Sequence, residues 1–380
     1  MKIAVIGSGL MGQAVVYDLS RAENVDKVGV YDFDRDLAEE VAHKYGNDIT
    51  IAGQIDAGNE EEVIEVLQEY DACVSAVTFK YNPGLTRAAI ATKTHFFDLG
   101  GNNDVVRTQF EMNDLAKEAD VLVIPDCGLA PGMVSILAAS GIKEFDKVAS
   151  LKIRVGGLPQ NPRLPLNYQM VFSSEGLINE YWEPVVILEN GSKKTVAPMT
   201  GLEELEFDGI GTLEAFYTSG GTSTLPDTYK DEIDFLDYKT IRYKGHCRTF
   251  KPMLEIGLGS KSAVKVEGQE VQPREVLKKV LEKNLTFNDP DLVLVKLIFE
   301  GVKNGQPKKL TYEIIDRQDT RTGLTSMMRT TAFPIAIIAW MTCSGRIEHR
   351  GVIQQEIAVE PSFFITQLKK RNINIAIKEG

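Results

Sequence analysis

The sequence predicts an α/β fold, a Rossmann doubly wound parallel sheet, joined to an α+β domain with a mostly antiparallel sheet. Three observations carry this. Apolar runs of strand length alternate with helical periodicity through the first part of the chain. A glycine-rich loop occupies the first strand-to-helix turn. The second half loses the alternation and carries two Asn-Gly turns of the kind that join antiparallel strands.

The elements follow in order. Lys2 to Gly7 is a short apolar run ending in glycine, and a helical pattern runs from Leu10 to about Arg21. Lys27 to Asp32 predicts a second strand, with a helix from Leu37 to Tyr45. Thr50 to Asp56 predicts a third, followed by an acidic helix near Glu60 to Glu69. Ala72 to Val77, Thr94 to Leu99 and Asp120 to Asp126 complete six strands, separated by helices at Pro83 to Thr92 and Asp104 to Ala119. Continuous apolar character, as in Lys2 to Gly7, fits strands covered on both faces.

Beyond Lys143 to Lys147 the pattern changes. Val148 to Val155 and Pro184 to Pro198 read as strands, the latter turning at Asn190-Gly191, and Leu292 to Ile315 turns at Asn304-Gly305. Helices are expected at Ser174 to Tyr181, Pro273 to Lys283 and Ser326 to about Cys343. Three segments are therefore expected: a dinucleotide-binding domain at 1–145, a substrate-binding and dimerisation domain at 146–325, and a helical segment at 326–380 that packs back on the first domain.

The loop Gly7-Ser8-Gly9-Leu10-Met11-Gly12 supplies the chemistry of the first domain. Gly7 permits the tight turn, Gly9 lets a pyrophosphate approach the backbone, and Gly12 lets helix and strand pack closely. The free N–H groups and partial positive charge of the helix N-terminus face the phosphates. Asp32 ends the second strand where its carboxylate accepts hydrogen bonds from an adenosine ribose and repels a 2′-phosphate, which favours NAD over NADP although Arg35 lies nearby. The competing reading is a flavodoxin-like sheet with a chance glycine pattern.

Ligands of such sheets bind beyond the carboxyl ends of the strands. Asp56 and Ala57 there would flank the adenine, Ala76 and Val77 leave room for the cofactor, and Asp98, Gly100 and Asp126 would lie toward the nicotinamide. Asp98 and Asp126 also have a bland reading as helix caps or turn formers.

Composition excludes several classes. A net charge of -12 repels nucleic acid and anionic lipid. The most apolar late segment, Ala332 to Cys343, contains Pro334 and is short for a bilayer span. Four scattered cysteines (Cys73, Cys127, Cys247 and Cys343) show neither metal spacing nor a disulfide framework. A soluble cytoplasmic protein with no metal, no nucleic-acid partner and no membrane partner is expected.

Two later stretches concentrate polar residues and glycine: Ser219 to Thr224 and Tyr238 to His246. Arg242 can clamp a carboxylate in bidentate fashion, and His246 can move a proton. The alternative is an ordinary Gly-Ser loop and a solvated strand.

The motifs GSGLMG, DLGG, PDCGLAPGM, VGGLP, FSSEGL, EAFYTSGGTSTL and YKTIRYKGH together resemble the saccharopine dehydrogenase family, and within it the lysine 6-dehydrogenases, over nearly the whole chain. The resemblance implies NAD, a sheet-forming second domain that makes dimers, and oxidation of the side-chain amine of L-lysine to the 6-semialdehyde and ammonia. The product would cyclise to piperideine-6-carboxylate. A lysine amine titrates near about 10.4, so its deprotonation needs a base or a desolvating site. Asp126 and His246 are the candidates, in that order, with Asp98 beside them. Arg242 would hold the α-carboxylate, Asp98 or Glu175 the α-ammonium, and Tyr168, Ser173, Thr222 and Thr240 would be polar groups around the substrate. A saccharopine- or carboxynorspermidine-type dehydrogenase and a non-catalytic NAD(H) sensor are the alternatives. A homo-oligomer, at least a dimer, is expected.

Overall fold

The computed structural model describes residues 1–287 and 289–380. Six strands, β1 (Lys2–Ile6), β2 (Lys27–Asp32), β3 (Thr50–Gln54), β4 (Ala72–Ser75), β5 (His95–Asp98) and β6 (Leu122–Ile124), alternate with helices. These are α1 (Leu10–Leu19), α2 (Arg35–Tyr45), α3 (Glu60–Leu67), α4 (Asn82–Thr92), α5 (Asn103–Phe110) and α6 (Asn113–Glu118), with α7 (Met133–Ile142) after the last strand. The single helix expected at Asp104 to Ala119 is thus two, α5 and α6.

The next stretch contains β7 (Lys147–Pro159), α8 (Ser174–Trp182), β8 (Val185–Glu189), β9 (Ser192–Val196), β10 (Glu203–Phe207), β11 (Gly211–Tyr217), α9 (Leu225–Thr228) and β12 (Phe235–Tyr243). It continues through α10 (His246–Glu255), the hairpin β13 (Val264–Val266) and β14 (Gln269–Val271), α11 (Pro273–Leu285), β15 (Asp291–Lys303) and β16 (Gln306–Arg317). The chain ends with α12 (Ser326–Cys343), β17 (Gly351–Val352), α13 (Gln355–Ala358), α14 (Pro361–Lys370) and β18 (Ala376–Glu379).

These elements form two compact units, Met1–Ser140 with Met328–Ile373, and Gly141–Met327 with Asn374–Gly380. In the first, all strands are parallel in the order β17-β6-β5-β4-β1-β2-β3. The connections reverse between β1 and β4, the place where doubly wound sheets bind ligands. Ile3, Ala4, Val5 and Ile6 are all fully buried, as a two-faced parallel strand requires. Asp34 caps α2 by accepting from the N–H groups of Asp36 and Leu37. The late segment is tied to α1 and the turn after it: Tyr17 stacks on Phe333, Arg371 Nε pairs with Asp18 at 2.6 Å, and Trp340 Nε1 donates to Glu23 O at 2.9 Å.

The second unit is built on a sheet running β10-β11-β12-β7-β15-β16-β18, with β8 pairing β12 and β9. All its pairings are antiparallel except β7 with β12. Asn190-Gly191 and Asn304-Gly305 make the β8–β9 and β15–β16 turns, each residue with positive φ between 51° and 73°. That is the conformation for which Asn and Gly are favoured. Arg154 of β7 donates to both oxygens of Asp237 on β12, at 2.6 and 3.0 Å, and also bonds Glu203, which Lys239 meets at 2.8 Å. Two like-charged lysine and arginine neighbours on paired strands are thereby neutralised inside the sheet.

Two expectations are corrected here. The first is the alternative given for the polar stretch ending at His246, which is not one solvated strand. β12 stops at Tyr243, most of it is buried, and a helix starts at His246, with Cys247, Phe250 and Leu254 turned inward. The tail is not wholly helical either, because Ala376–Glu379 adds to the sheet of the second unit beside β16.

Candidate active site

The candidate residues divide between the two units. In the first, β1 runs into the glycine loop. Gly7 has φ +109°, and a Cβ on it would lie 2.7 Å from the backbone of Ala76. A Cβ on Gly12 would lie 1.8 Å from Gly7 O. Gly9 differs from both: its φ is -65°, and a Cβ there would meet no protein atom within 4 Å. Neither backbone strain nor packing explains glycine at this position, whereas a bound pyrophosphate lying against the backbone does. Gly9 is the N-cap of α1 and offers no side-chain cap, so the first-turn N–H groups at Leu10 and Met11 stay available to an anion. Ser8 is fully buried, and its Oγ has no hydrogen-bond partner among the described residues. These residues fit a dinucleotide phosphate.

Asp32 at the end of β2 accepts from Ser8 N at 2.6 Å and from Asp34 N at 3.0 Å. It therefore braces the loop. The nearby Arg35 is paired with Glu39 at 2.8 Å. Ala76 and Val77 follow β4, with Ala76 N bonded to Ile6 O at 2.8 Å. Asp56 turns the chain after β3, accepting from Gly58 N at 2.8 Å, with Ala57 between them.

Asp98 is corrected from catalytic candidate to brace. Its carboxylate is fully buried and accepts from Gly100 N at 2.7 Å, Asp126 N at 3.2 Å and Gln109 Nε2 at 2.7 Å. Burial raises its pKa against the pull of these donors. The group ties the ends of β5 and β6 to α5. Asp126 is buried with φ +61°, and its Oδ1 lies 1.7 Å from where a Cβ on Gly100 would be. Glycine at 100 therefore makes room for the Asp126 carboxylate.

In the second unit a buried polar cluster surrounds Arg242 on β12. The guanidinium is 2% exposed. Its Nε donates to Tyr181 Oη at 2.7 Å, one Nη1–H donates to Ile241 O at 2.9 Å, and it lies over the Tyr168 ring at 4.8 Å. No carboxylate pairs with it, and Nη2 makes no hydrogen bond among the described residues. Burial alone would lower its pKa, but Tyr181, Tyr168 and Glu180 more than reverse this. A desolvated cation without a counter-ion costs several kcal/mol, and an anionic ligand offsets that cost.

His246 is also corrected. It is fully enclosed, with Nδ1 2.8 Å from Leu166 O and Nε2 3.2 Å from Tyr181 Oη. Burial, then the charge of Arg242, push its pKa down to about 3. Such an imidazole stays neutral at ordinary pH and braces Tyr181; it is not a base poised near neutrality. Glu175 is committed elsewhere, to Arg274 at 2.9 Å and Lys278 at 3.1 Å, and Ser173 caps α8 by accepting from Gly176 N. Tyr168 and Thr222 are buried, and Thr240, two residues before Arg242 on β12, has its Oγ1 2.6 Å from Thr218 Oγ1.

Glu180 and Tyr181 were not singled out from sequence. They follow one another on α8, in an Asn-Glu-Tyr-Trp run after the apolar Leu177 and Ile178, with no motif to mark them. Among the described residues, no helix is long and apolar enough to cross a membrane and no group of His, Cys, Asp and Glu could hold a metal ion.

Residues 3–124 match the family model described as the saccharopine dehydrogenase NADP binding domain, and residues 128–373 match the saccharopine dehydrogenase C-terminal domain. The chain is similar to the saccharopine dehydrogenase [NADP(+), L-glutamate-forming] of Saccharomyces cerevisiae, 23% identical over 77% of this chain and 66% of the relative. It is also 21% identical to the carboxyaminopropylagmatine dehydrogenase of a Synechocystis species, over 97% of this chain and 95% of the relative. The match spans just under two thirds of the yeast enzyme's length and 30% of the rat mitochondrial alpha-aminoadipic semialdehyde synthase. A solved structure of apo saccharopine dehydrogenase (L-Glu forming) from S. cerevisiae superposes with a TM-score of 0.84 at 19% identity, covering 100% of this chain and 99% of that one.

Proposed function

Because the chain belongs to the saccharopine dehydrogenase family, whose nicotinamide-dependent oxidoreductases are named for amine substrates, we propose that it is an L-lysine 6-dehydrogenase using NAD. The reaction is oxidative deamination of the 6-amino group. L-lysine, NAD and water give 2-aminoadipate 6-semialdehyde, ammonium, NADH and a proton, and the semialdehyde cyclises to piperideine-6-carboxylate.

The observation that carries the reading is Arg242, a buried guanidinium with no carboxylate partner among the described residues. It suits the α-carboxylate of an amino-acid substrate through its unused fork. The Gly7–Gly12 loop and the start of α1 would bind the pyrophosphate, and Asp32 the adenosine ribose. The acid at that position supports NAD, since a 2′-phosphate would be repelled. When bound, the dinucleotide supplies the hydride acceptor. The protein's own task is to remove a proton from the substrate ammonium, whose pKa near about 10.4 must be overcome. Asp126, buried just beyond the end of β6, is the proposed proton acceptor.

A second reading follows from the carboxyaminopropylagmatine dehydrogenase, which matches nearly end to end. It is the same C–N oxidation on a larger secondary amine. Purified protein with NAD, monitored at the NADH absorbance, separates the two: lysine should be oxidised and saccharopine should not. NADH formation with saccharopine alone sinks the lysine reading, and none with any amine points to a sensor. A homo-oligomer is part of the proposal and is read by analytical ultracentrifugation.

A further inference from the structure

Glu180 occupies an unusual position beside Arg242. Its carboxylate makes no hydrogen bond and no ion pair among the described residues, although it is only partly exposed. It couples electrostatically to Arg242, Tyr168, Tyr181 and Tyr238. Its own backbone is held, Glu180 O accepting from Ser219 N at 2.8 Å. The next residue on the helix, Tyr181, bonds the Arg242 guanidinium directly. A buried cation with an unused fork and an unpaired carboxylate therefore lie close enough to feel one another without forming an ion pair.

A simple internal salt bridge would close that gap and lower both desolvation costs. The arrangement instead keeps opposite charges apart, and an α-amino acid presents the complementary pair: one carboxylate and one ammonium on the same carbon. We propose that Glu180 and Arg242 form a clamp for the zwitterionic head group of an amino-acid substrate, with Arg242 on the α-carboxylate and Glu180 on the α-ammonium. This rests on the assignment of Arg242 to a substrate carboxylate. It replaces the ammonium role first given to Asp98 or Glu175, both of which are engaged with protein groups. Neither residue touches the reacting carbon in this scheme; both set which molecules bind.

Burial pushes the Glu180 carboxyl up to about 7, with Arg242 pulling the other way. The clamp is therefore charged above neutrality and weakens as the carboxylate protonates. The three tyrosines facing it do not titrate in that range, since burial raises each of their hydroxyls. His246, the remaining titratable group of the cluster, stays neutral there.

The test is calorimetric binding to the full chain saturated with NAD, using ligands that cannot be oxidised at a side-chain amine. L-norleucine carries the head group; hexanoate keeps the carboxylate and lacks the α-ammonium. Wild type should bind norleucine at least about tenfold more tightly than hexanoate, roughly the 1.4 kcal/mol of one decade. In Glu180→Gln, norleucine should weaken at least about tenfold while hexanoate is unchanged. The wild-type preference should also shrink between about pH 8 and about pH 6. Equal weakening of both ligands would mark Glu180 as structural and overturn the clamp. So would an unchanged norleucine affinity, or no preference in wild type. Because norleucine is not a substrate, lysine oxidation can fail while the clamp stands, and the reverse.

Discussion

Arg242 Nε donates to Tyr181 Oη at 2.7 Å, in surroundings where neither group reaches bulk water. The same hydroxyl lies 3.2 Å from His246 Nε2, so one phenol oxygen joins a cation to a neutral ring. Removing it strands both partners. Tyr181→Phe should lose about 1–3 kcal/mol of stability, the cost of leaving buried donors unsatisfied. Urea denaturation measures this; an unchanged midpoint with an unchanged slope would show that the bond contributes nothing.

Truncating the cation itself tests the substrate assignment. Arg242→Ala should lower kcat/KM for L-lysine at least about 100-fold, near 2.7 kcal/mol of lost binding in the transition state. Arg242→Lys should recover only part of this, because an ammonium lacks the planar fork. Steady-state kinetics within twofold of wild type for Arg242→Ala would remove the carboxylate clamp from consideration.

The three glycines of the loop should respond differently to one added methyl. Gly12→Ala drives a Cβ into Gly7 O and should destabilise the first unit. Gly9→Ala meets no protein atom, so its melting temperature should match wild type. Its affinity for NAD should nevertheless fall at least about tenfold, the methyl taking space meant for phosphate. Fluorescence titration with NADH reads the affinity. A Gly9→Ala protein that binds normally would mean that the pyrophosphate does not pass there.

Asp32 braces the loop and is proposed to select the dinucleotide, and one substitution separates the two. Asp32→Asn keeps acceptor capacity toward Ser8 N while removing the charge. The proposed preference for NAD over NADP should narrow at least about tenfold in kcat/KM, because the 2′-phosphate is no longer repelled. If the ratio does not move, the carboxylate serves the loop and not the choice of dinucleotide.

The enclosed imidazole predicts an acid-side instability. The folded pKa of His246, about 3, lies below the ordinary value of 6.5, so the unfolded chain takes up the proton first as pH falls. Stability is full above about 6.5 and declines toward about 3, by at most about 1.4 kcal/mol per pH unit from this group. His246→Gln should reduce that slope between about pH 4 and about pH 6, as followed by chemical denaturation. An identical slope in the variant would contradict the assignment.

Much of this was legible in the chain. The six parallel strands declared themselves through continuous apolar runs, and both Asn-Gly turns fell where positive φ is needed. The turn at the loop was readable because its glycines stand between a strand and a helix, and Asp32 because it ends the second strand. The rest depended on distant contacts. Glu175 looks available until Arg274, 99 residues away, is placed against it. His246 looks like a base until Leu166 and Tyr181 enclose it. α10 was not among the expected helices, although Cys247, Phe250 and Leu254 keep a helical spacing. Glu180 gave no signal because its character comes from what it fails to pair with.

The path of the chain between the units has a practical consequence. It passes from one to the other after Ser140, returns after Met327, and leaves again after Ile373 to lay down β18. No single cut therefore yields either unit as an intact fragment. During synthesis the parallel sheet must wait for β17, more than 200 residues after β6, before its last edge can be filled. Fragments for crystallisation or labelling are better made by circular permutation, or by fusing 1–140 to 328–373 through a linker, than by truncation.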